Sequence, residues 1–314
     1  MRVFDGHCDT VLRLYQDGRS LFENEGHLDL VRMAAHGQWA QFFALFWDQG
    51  EKLPAPEKSL WDVFQAEYQV FARELERNSD RLTLCRTAEE IKGAWAAGRQ
   101  AALLSVEGAE LLDCDLSKLE LAYKLGVRAV NLTWNYENAL SGSNAQSPEK
   151  GLTERGRSFV KRMQELGMLV DVSHLSDPGF WDVMELAKKP VFASHSNSRA
   201  ACPHTRNLTD EQFTAIIGNH GVAGINMCDL FLGADPDLDT VIAHIEHWLG
   251  LGGMKNISLG GDWDGIVHPP EGVFGIQDLD KLVERLLSRN YSEALIEDLL
   301  CNNLMRVVSE VCIM

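Results

Sequence analysis

His7-Cys8-Asp9, near the start of the chain, carries an imidazole and a carboxylate two residues apart. Residues two apart in an extended segment point to the same side. The pair can therefore aim a nitrogen and an oxygen donor at one point, a combination that zinc-like metals accept. Four more polar tips follow short apolar runs: Glu107 after residues 101–106, His174 after 169–172, His195 after 191–193, and Asp262 in Gly261-Asp262-Trp263-Asp264-Gly265 after 256–259. Singly, each is what a loop or a helix cap commonly contains. Together, three His, two Asp and one Glu make a set able to hold one or two divalent transition metals, with a carboxylate such as Glu107 able to bridge two ions. Asp262 is then left for proton transfer or a further metal bond.

Such a set needs a scaffold that brings distant tips together. Eight short apolar runs read as strands, at 2–5, 41–47, 101–106, 128–132, 169–172, 191–193, 222–226 and 256–259. Helix-like segments lie between most of them. Trp61, Phe64, Tyr68, Phe71 and Leu75 step by three and four along one face, as do Leu116, Leu119 and Tyr123 behind a capping Asp115. Residues 153–167, 177–187, 209–218, 237–249, 278–287 and 292–311 read similarly, several opening on Ser, Thr or Asp. Non-alternating strands separated by helices point to an α/β fold, a closed (β/α)8 barrel of the TIM type, as one domain over 1–314. The rival, an open doubly wound sheet, usually brings a Gly-rich phosphate turn after its first strand, and only Gly6 stands there. In a barrel, chemistry sits at the C-terminal ends of the strands, and the candidate donors fall at five such ends.

Composition narrows the function classes. Of 314 residues, 45% are hydrophobic and 24% charged, enough apolar material for a sizeable core. A net charge of -17 argues against nucleic acid or an anionic membrane surface as partner. Seven cysteines, an odd number without Cys-x-x-Cys spacing, read as reduced thiols in a cytoplasmic protein. Neither a secretory leader nor an uncharged run of transmembrane length is expected.

Other groups carry blander expectations. His244 and His247 are three apart on a helix read as solvated, so both are expected at the surface. Cys8 points away from its neighbours and is expected as a small core residue. Phe42, Phe43, Phe46 and Trp47 are expected as strand core rather than a stacking platform. Residues 141–148 form the clearest loop; lying after the fourth strand, it either borders an active site or is plain surface.

The set of motifs resembles the renal (membrane) dipeptidase family of zinc metallopeptidases, in the amidohydrolase superfamily. The likeness is carried by Asp5-Gly6-His7-Cys8-Asp9, Ser105-Val106-Glu107-Gly108, Val172-Ser173-His174-Leu175-Ser176, Ala193-Ser194-His195-Ser196, Arg206-Asn207-Leu208-Thr209-Asp210 and Gly261-Asp262-Trp263-Asp264-Gly265. His27-Leu28-Asp29-Leu30, Ala40-Gln41-Phe42-Phe43 and Asn302-Asn303-Leu304-Met305-Arg306-Val307 extend it to both ends of the chain. The resemblance implies two zinc ions per chain: His7 and Asp9 on one, His174 and His195 on the other, Glu107 bridging. It also implies Asp262 as the catalytic aspartate and Arg206 as the receiver of the substrate's carboxylate, a task that suits a guanidinium fork. The substrate implied is a small dipeptide, with a D-residue tolerated at its C-terminal position. Cobalt or manganese fits the same ligands. A homodimer is also implied, and a soluble, bacterial-type relative without the membrane anchor and disulfides of other members.

One departure stands out. Better-known members read Leu-Thr-His-Asn where this chain reads Leu132-Thr133-Trp134-Asn135. That His helps hold substrate and tetrahedral intermediate; an indole N–H can donate but can neither accept a proton nor carry charge. Either Trp134 supplies one neutral donor, or Asn135 or Asn138 does, or the substrate differs. The alternatives to a dipeptidase are another metal amidohydrolase, acting on a cyclic amide, lactone or N-acyl amino acid, and a barrel that only binds.

Overall fold

The computed structural model describes residues 1–313. Nine parallel strands form one sheet: β1 Arg2–Cys8, β2 Gln38–Phe46, β3 Leu82–Leu84, β4 Gln100–Glu107, β5 Val127–Asn131, β6 Leu169–Asp171, β7 Phe192–Ala193, β8 Val222–Ile225 and β9 Ile257–Leu259. Eight of them close on themselves. β2 pairs with both β1 and β4, the order then runs β5 to β9, and Asp5 of β1 pairs with Leu259 of β9. The expected (β/α)8 barrel is thus present. β3, absent from the sequence reading, adds outside the ring, on the first half of the β4 edge (Gln100 to Ala102), while β5 takes the second half (Leu104 to Glu107). Three residues of ordinary hydrophobicity give little periodic signal, so its omission follows from its length.

The strands do not alternate because both faces are covered. Phe42 faces the barrel interior, its ring 5.7 Å from those of Phe4 and Phe192, whereas Phe43 faces outward onto Phe71 of helix Leu60–Arg77 at 5.4 Å. Phe42, Phe43, Phe46, Trp47 and Cys8 are all buried, as expected. Side-chain caps on Ser59, Asp115, Thr153, Ser176, Thr209, Asp237 and Ser292 fix where the surrounding helices begin. Short helices Thr10–Asp17, Leu30–His36 and Ala88–Ala96 had no counterpart in the sequence reading, and the expected long helix 292–311 is broken by a π-type stretch at Asp298–Asn302.

His244 corrects an expectation. It is fully buried, on the inner stripe of helix Leu238–Gly250 with Val241, Ile245 and Trp248. Its Nδ1 accepts from the Ser198 N–H at 3.1 Å, and Nε2 donates to the Leu232 carbonyl at 3.0 Å. The charges at Asp239 and Glu246 belong to the other face, so its position on the apolar stripe outweighed its polarity. His247 is half-exposed, 2.8 Å from Asp210. All seven cysteines are free and buried. Among the described residues no helix is long and apolar enough to cross a membrane.

Candidate metal centre and substrate cleft

Two buried carboxylates that donate nothing to the cleft shape its floor. Asp5 Oδ1 accepts the backbone N–H of His7 at 3.0 Å, and the same carboxylate takes Gly261 N–H at 3.1 Å and the Trp263 indole N–H at 2.8 Å. It thereby ties the end of β1 to the turn after β9. Asp171 Oδ1 likewise accepts from Ser173 N–H and Ser194 N–H, both at 3.0 Å, and ties β6 to β7. Burial raises the pKa of both, and these hydrogen bonds oppose the shift. The strands come very close here. A Cβ on Gly6, Gly224 or Gly260 would run into the Ser194 carbonyl, so only glycine fits at these three positions.

On this floor the five predicted donors converge. His7 Nε2 lies 3.4 Å from Asp9 Oδ2 and 3.4 Å from Glu107 Oε2. The other oxygen, Glu107 Oε1, lies 2.9 Å from His174 Nε2 and 3.4 Å from His195 Nε2, and those two nitrogens are 3.0 Å apart. Asp262 Oδ1 is 3.9 Å from His7 Nε2. Donors about 2.0–2.1 Å from a tetrahedral ion sit about 3.3 Å from one another, and the observed spacings scatter around that value. The cluster has the other marks of a cation site. Both ring nitrogens of His7 and Oδ1 of Asp9 are buried without a hydrogen-bond partner, which is costly unless something else satisfies them.

Partners behind the rings fix their orientation. Asn135 Oδ1 lies 2.9 Å from His174 Nδ1, and Ser194 Oγ lies 2.6 Å from His195 Nδ1, so both Nε2 atoms face Glu107. Asn226 Nδ2 donates to Asp262 Oδ2 at 2.9 Å and leaves Oδ1 for the cleft. His174 and Asp262 both hold left-handed backbone (φ 69° and 59°), a conformation that Asp and His adopt more readily than most side chains.

The charges are in conflict. Burial, then the Asp9 carboxylate, pushes Glu107 up to about 8. Burial raises Asp262 to about 6, with His7 and Asn226 opposing and Asp9 adding to the rise. Burial pulls His7 down, yet Glu107 and Asp9 outweigh it and hold the imidazole well above its ordinary value. His174 and His195 are held well below theirs, first by burial and then by neighbouring Arg206 and His7. Three carboxylates crowded around buried imidazoles, two of which are held neutral, are complementary to a divalent cation.

A cleft of ≈ 750 Å³ opens above Glu107, His174 and Asp262. Trp134 and Asn135 line it, but Asn135 spends its amide oxygen on His174. Arg206 is buried beside it: Nη1 donates to Ser196 Oγ and Nη2 to the His195 carbonyl, both at 3.0 Å, and Nε is unpartnered. Loop 141–148 backs the site rather than lining the cleft: Asn144 N–H donates to the His174 carbonyl at 3.0 Å, and Ser143 Oγ to that of Asn135 at 2.7 Å. Asp264 holds the loop after β9: it accepts from Thr10 Oγ1 and from the His27 N–H, and its own N–H donates to His27 Nδ1.

Sequence reasoning assigned no role to Asp5, Asp171, Ser194, Asn226, Asp264 or His27. The signal for two of them was readable: Asp5 and Asp171 each sit two residues before the N–H they accept, the spacing of an Asx turn.

The sequence profile of the membrane dipeptidase family, peptidase family M19, matches residues 1–313. This chain belongs to that family. It is a metal-dependent peptide-bond hydrolase of the dipeptidase type. Among its relatives, the dipeptidase tcpJ of Claviceps purpurea is 30% identical over 99% of this chain and 77% of its own. An uncharacterized protein in the pqqA 5' region of Klebsiella pneumoniae is 33% identical over 80% of this chain and 96% of its own. A metallo peptidase from Rhodobacter sphaeroides, solved with a phosphinate mimic of the dipeptide L-Ala-D-Ala, superposes with a TM-score of 0.90 at 29% identity, covering 99% of both chains.

Proposed function

We propose that this chain is a two-zinc dipeptidase that accepts a D-residue at the C-terminal position of its substrate. The observation that carries the reading is the split environment of Glu107, with Oε2 facing His7 beside Asp9, and Oε1 facing His174 and His195. One carboxylate with separate donor groups on its two oxygens is suited to bridging two ions. Imidazole nitrogens combined with carboxylate oxygens at spacings near the tetrahedral value suit zinc among the divalent metals. When bound, such a metal pair supplies a lowered pKa for attacking water and positive charge opposite the developing oxyanion.

The protein's own groups supply the rest. Asp262, with Oδ2 anchored by Asn226, presents Oδ1 as the base that takes a proton from the attacking water and returns it to the leaving amine. Arg206 uses two of its five N–H donors on the protein. The remaining three suit a carboxylate, and a buried guanidinium without its own acid partner is well placed to reward one. Anchoring the free C-terminus next to the reacting carbonyl restricts substrates to two residues. Resemblance to the Rhodobacter protein with its L-Ala-D-Ala mimic supports the D-residue.

The test is hydrolysis of L-Ala-D-Ala and L-Ala-L-Ala by protein purified without chelator, before and after zinc addition. Turnover of the L,D substrate that a chelator abolishes and zinc restores is expected. Cleavage of the L,L form alone would sink the stereochemical part, and no cleavage of either by zinc-loaded protein would sink the activity.

A further inference from the structure

One wall of the cleft, running from the end of β2 to the segment after β5, is aromatic. Around the ring, β7 and β8, which flank Arg206, stand opposite β2 and β4. Phe46 ends β2, on that opposite side, and Trp134 follows β5, the strand on the other side of Glu107, with its ring 6.2 Å from that of His174. Their rings meet at 4.9 Å and 60°, and Tyr136 backs Trp134 at 5.7 Å. Trp47 and Leu12, both nearly buried, continue the surface toward β1. The wall is held firmly: the Phe46 N–H donates at 2.9 Å to Oε2 of Glu67, itself fully buried.

A two-residue chain spans only about 7 Å. If its carboxylate sits at Arg206 and its scissile carbonyl lies over Glu107, its first residue lies against Phe46 and Trp134. This step rests on the assignment of Arg206 made above. The cleft, at ≈ 750 Å³, leaves room for a large side chain there. An apolar side chain would gain burial on rigid rings. An acidic one would be desolvated against them and would face Asp9, Glu107 and Asp262.

We propose that Trp134, with Phe46 and Trp47, forms the subsite for the side chain of the substrate's N-terminal residue, and that it makes the enzyme select dipeptides whose first residue is large and apolar. Trp134 thus acts as a specificity-determining wall. It is not a neutral stand-in for the charged group of other family members.

The experiment is kcat/KM for Ala-Ala, Leu-Ala, Phe-Ala and Asp-Ala, in both configurations at the second residue, for zinc-loaded wild type, Trp134→Ala and Trp134→Phe. Wild type should favour Phe-Ala and Leu-Ala over Ala-Ala by about 10- to 100-fold and disfavour Asp-Ala. Trp134→Ala should collapse the Phe-Ala to Ala-Ala ratio to within about threefold, with the L/D ratio at the second residue preserved. Trp134→Phe should keep most of the preference. A flat wild-type profile, or a ratio that survives in Trp134→Ala, overturns the proposal while leaving the dipeptidase reading intact. Failure of every dipeptide with wild type overturns that reading and this one with it.

Discussion

The two ends of the barrel are built on opposite plans. Toward the starts of the strands, Phe4, Phe42 and Phe192 stack across the interior, with Ala40, Ala101, Ala129, Leu169 and Val222 completing an apolar plug backed by Leu304 and Val308 of helix Asn303–Val311. Toward the strand ends the same barrel carries three imidazoles and three carboxylates, with unpartnered buried side-chain atoms on His7 and Asp9 and left-handed backbone at His174 and Asp262. One end satisfies itself. The other is incomplete as protein alone, and its frustration is what a cation and a substrate would relieve. The difference implies that stability is concentrated at the plug and activity at the mouth.

That division can be broken most sharply at Glu107. Glu107→Gln should lower kcat/KM by about 10³-fold or more, because metal-based stabilisation is worth several kcal/mol. In chelator, the same variant should melt at or above the wild type, since it removes a buried carboxylate crowded by Asp9. A lower melting point for chelated Glu107→Gln would show that the mouth also carries stability. The converse change is Phe42→Ala at the plug. It should cost about 3–5 kcal/mol in denaturant unfolding, while the folded fraction keeps its kcat; a stable but inactive variant would break the comparison.

Arg206→Lys keeps the charge but loses the fork. We expect kcat/KM to fall about 10- to 100-fold, mostly through KM, with bound metal unchanged by elemental analysis. Glu67 gives the smallest and most diagnostic effect, because it is a buried carboxyl that lies outside the donor cluster. Burial raises its pKa well above the ordinary value, against the hydrogen bond from Phe46 N–H. The folded protein therefore holds this proton longer than the unfolded chain. Its contribution is fully present below the ordinary Glu range and lost as pH rises through the folded value, about 1.4 kcal/mol for each tenfold difference in proton affinity between the two states. Glu67→Gln should remove that decline, so its stability relative to wild type should improve between pH 5 and pH 8 in denaturant titrations of chelated protein. A pH-independent difference would mean that Glu67 is ionised in the fold.

The mouth was more legible in the sequence than the scaffold around it. Each donor lies directly after an apolar run, so a barrel reading alone gathers His7, Asp9, Glu107, His174, His195 and Asp262 at one end, and the structure brings them within a few ångströms. Groups whose role depends on a distant partner were not legible. Ser194 matters because His195 Nδ1 lies against it, and Asn226 because Asp262 comes to it across the β8–β9 boundary. His244 is a related case: the acidic residues around it, Asp237, Asp239 and Glu246, suggest a solvated helix, and only the packed helix shows it buried and satisfied by Ser198 and Leu232. The three-residue β3 and the short helices fell below the length at which periodicity carries information.

The central claim is that Glu107 joins two cation sites, and zinc bound per chain tests it directly. Metal-free protein equilibrated with zinc and then freed of unbound ion should retain two zinc per chain. A chain that retains none, or whose zinc content is unchanged by His7→Ala and by His195→Ala, would contradict the account.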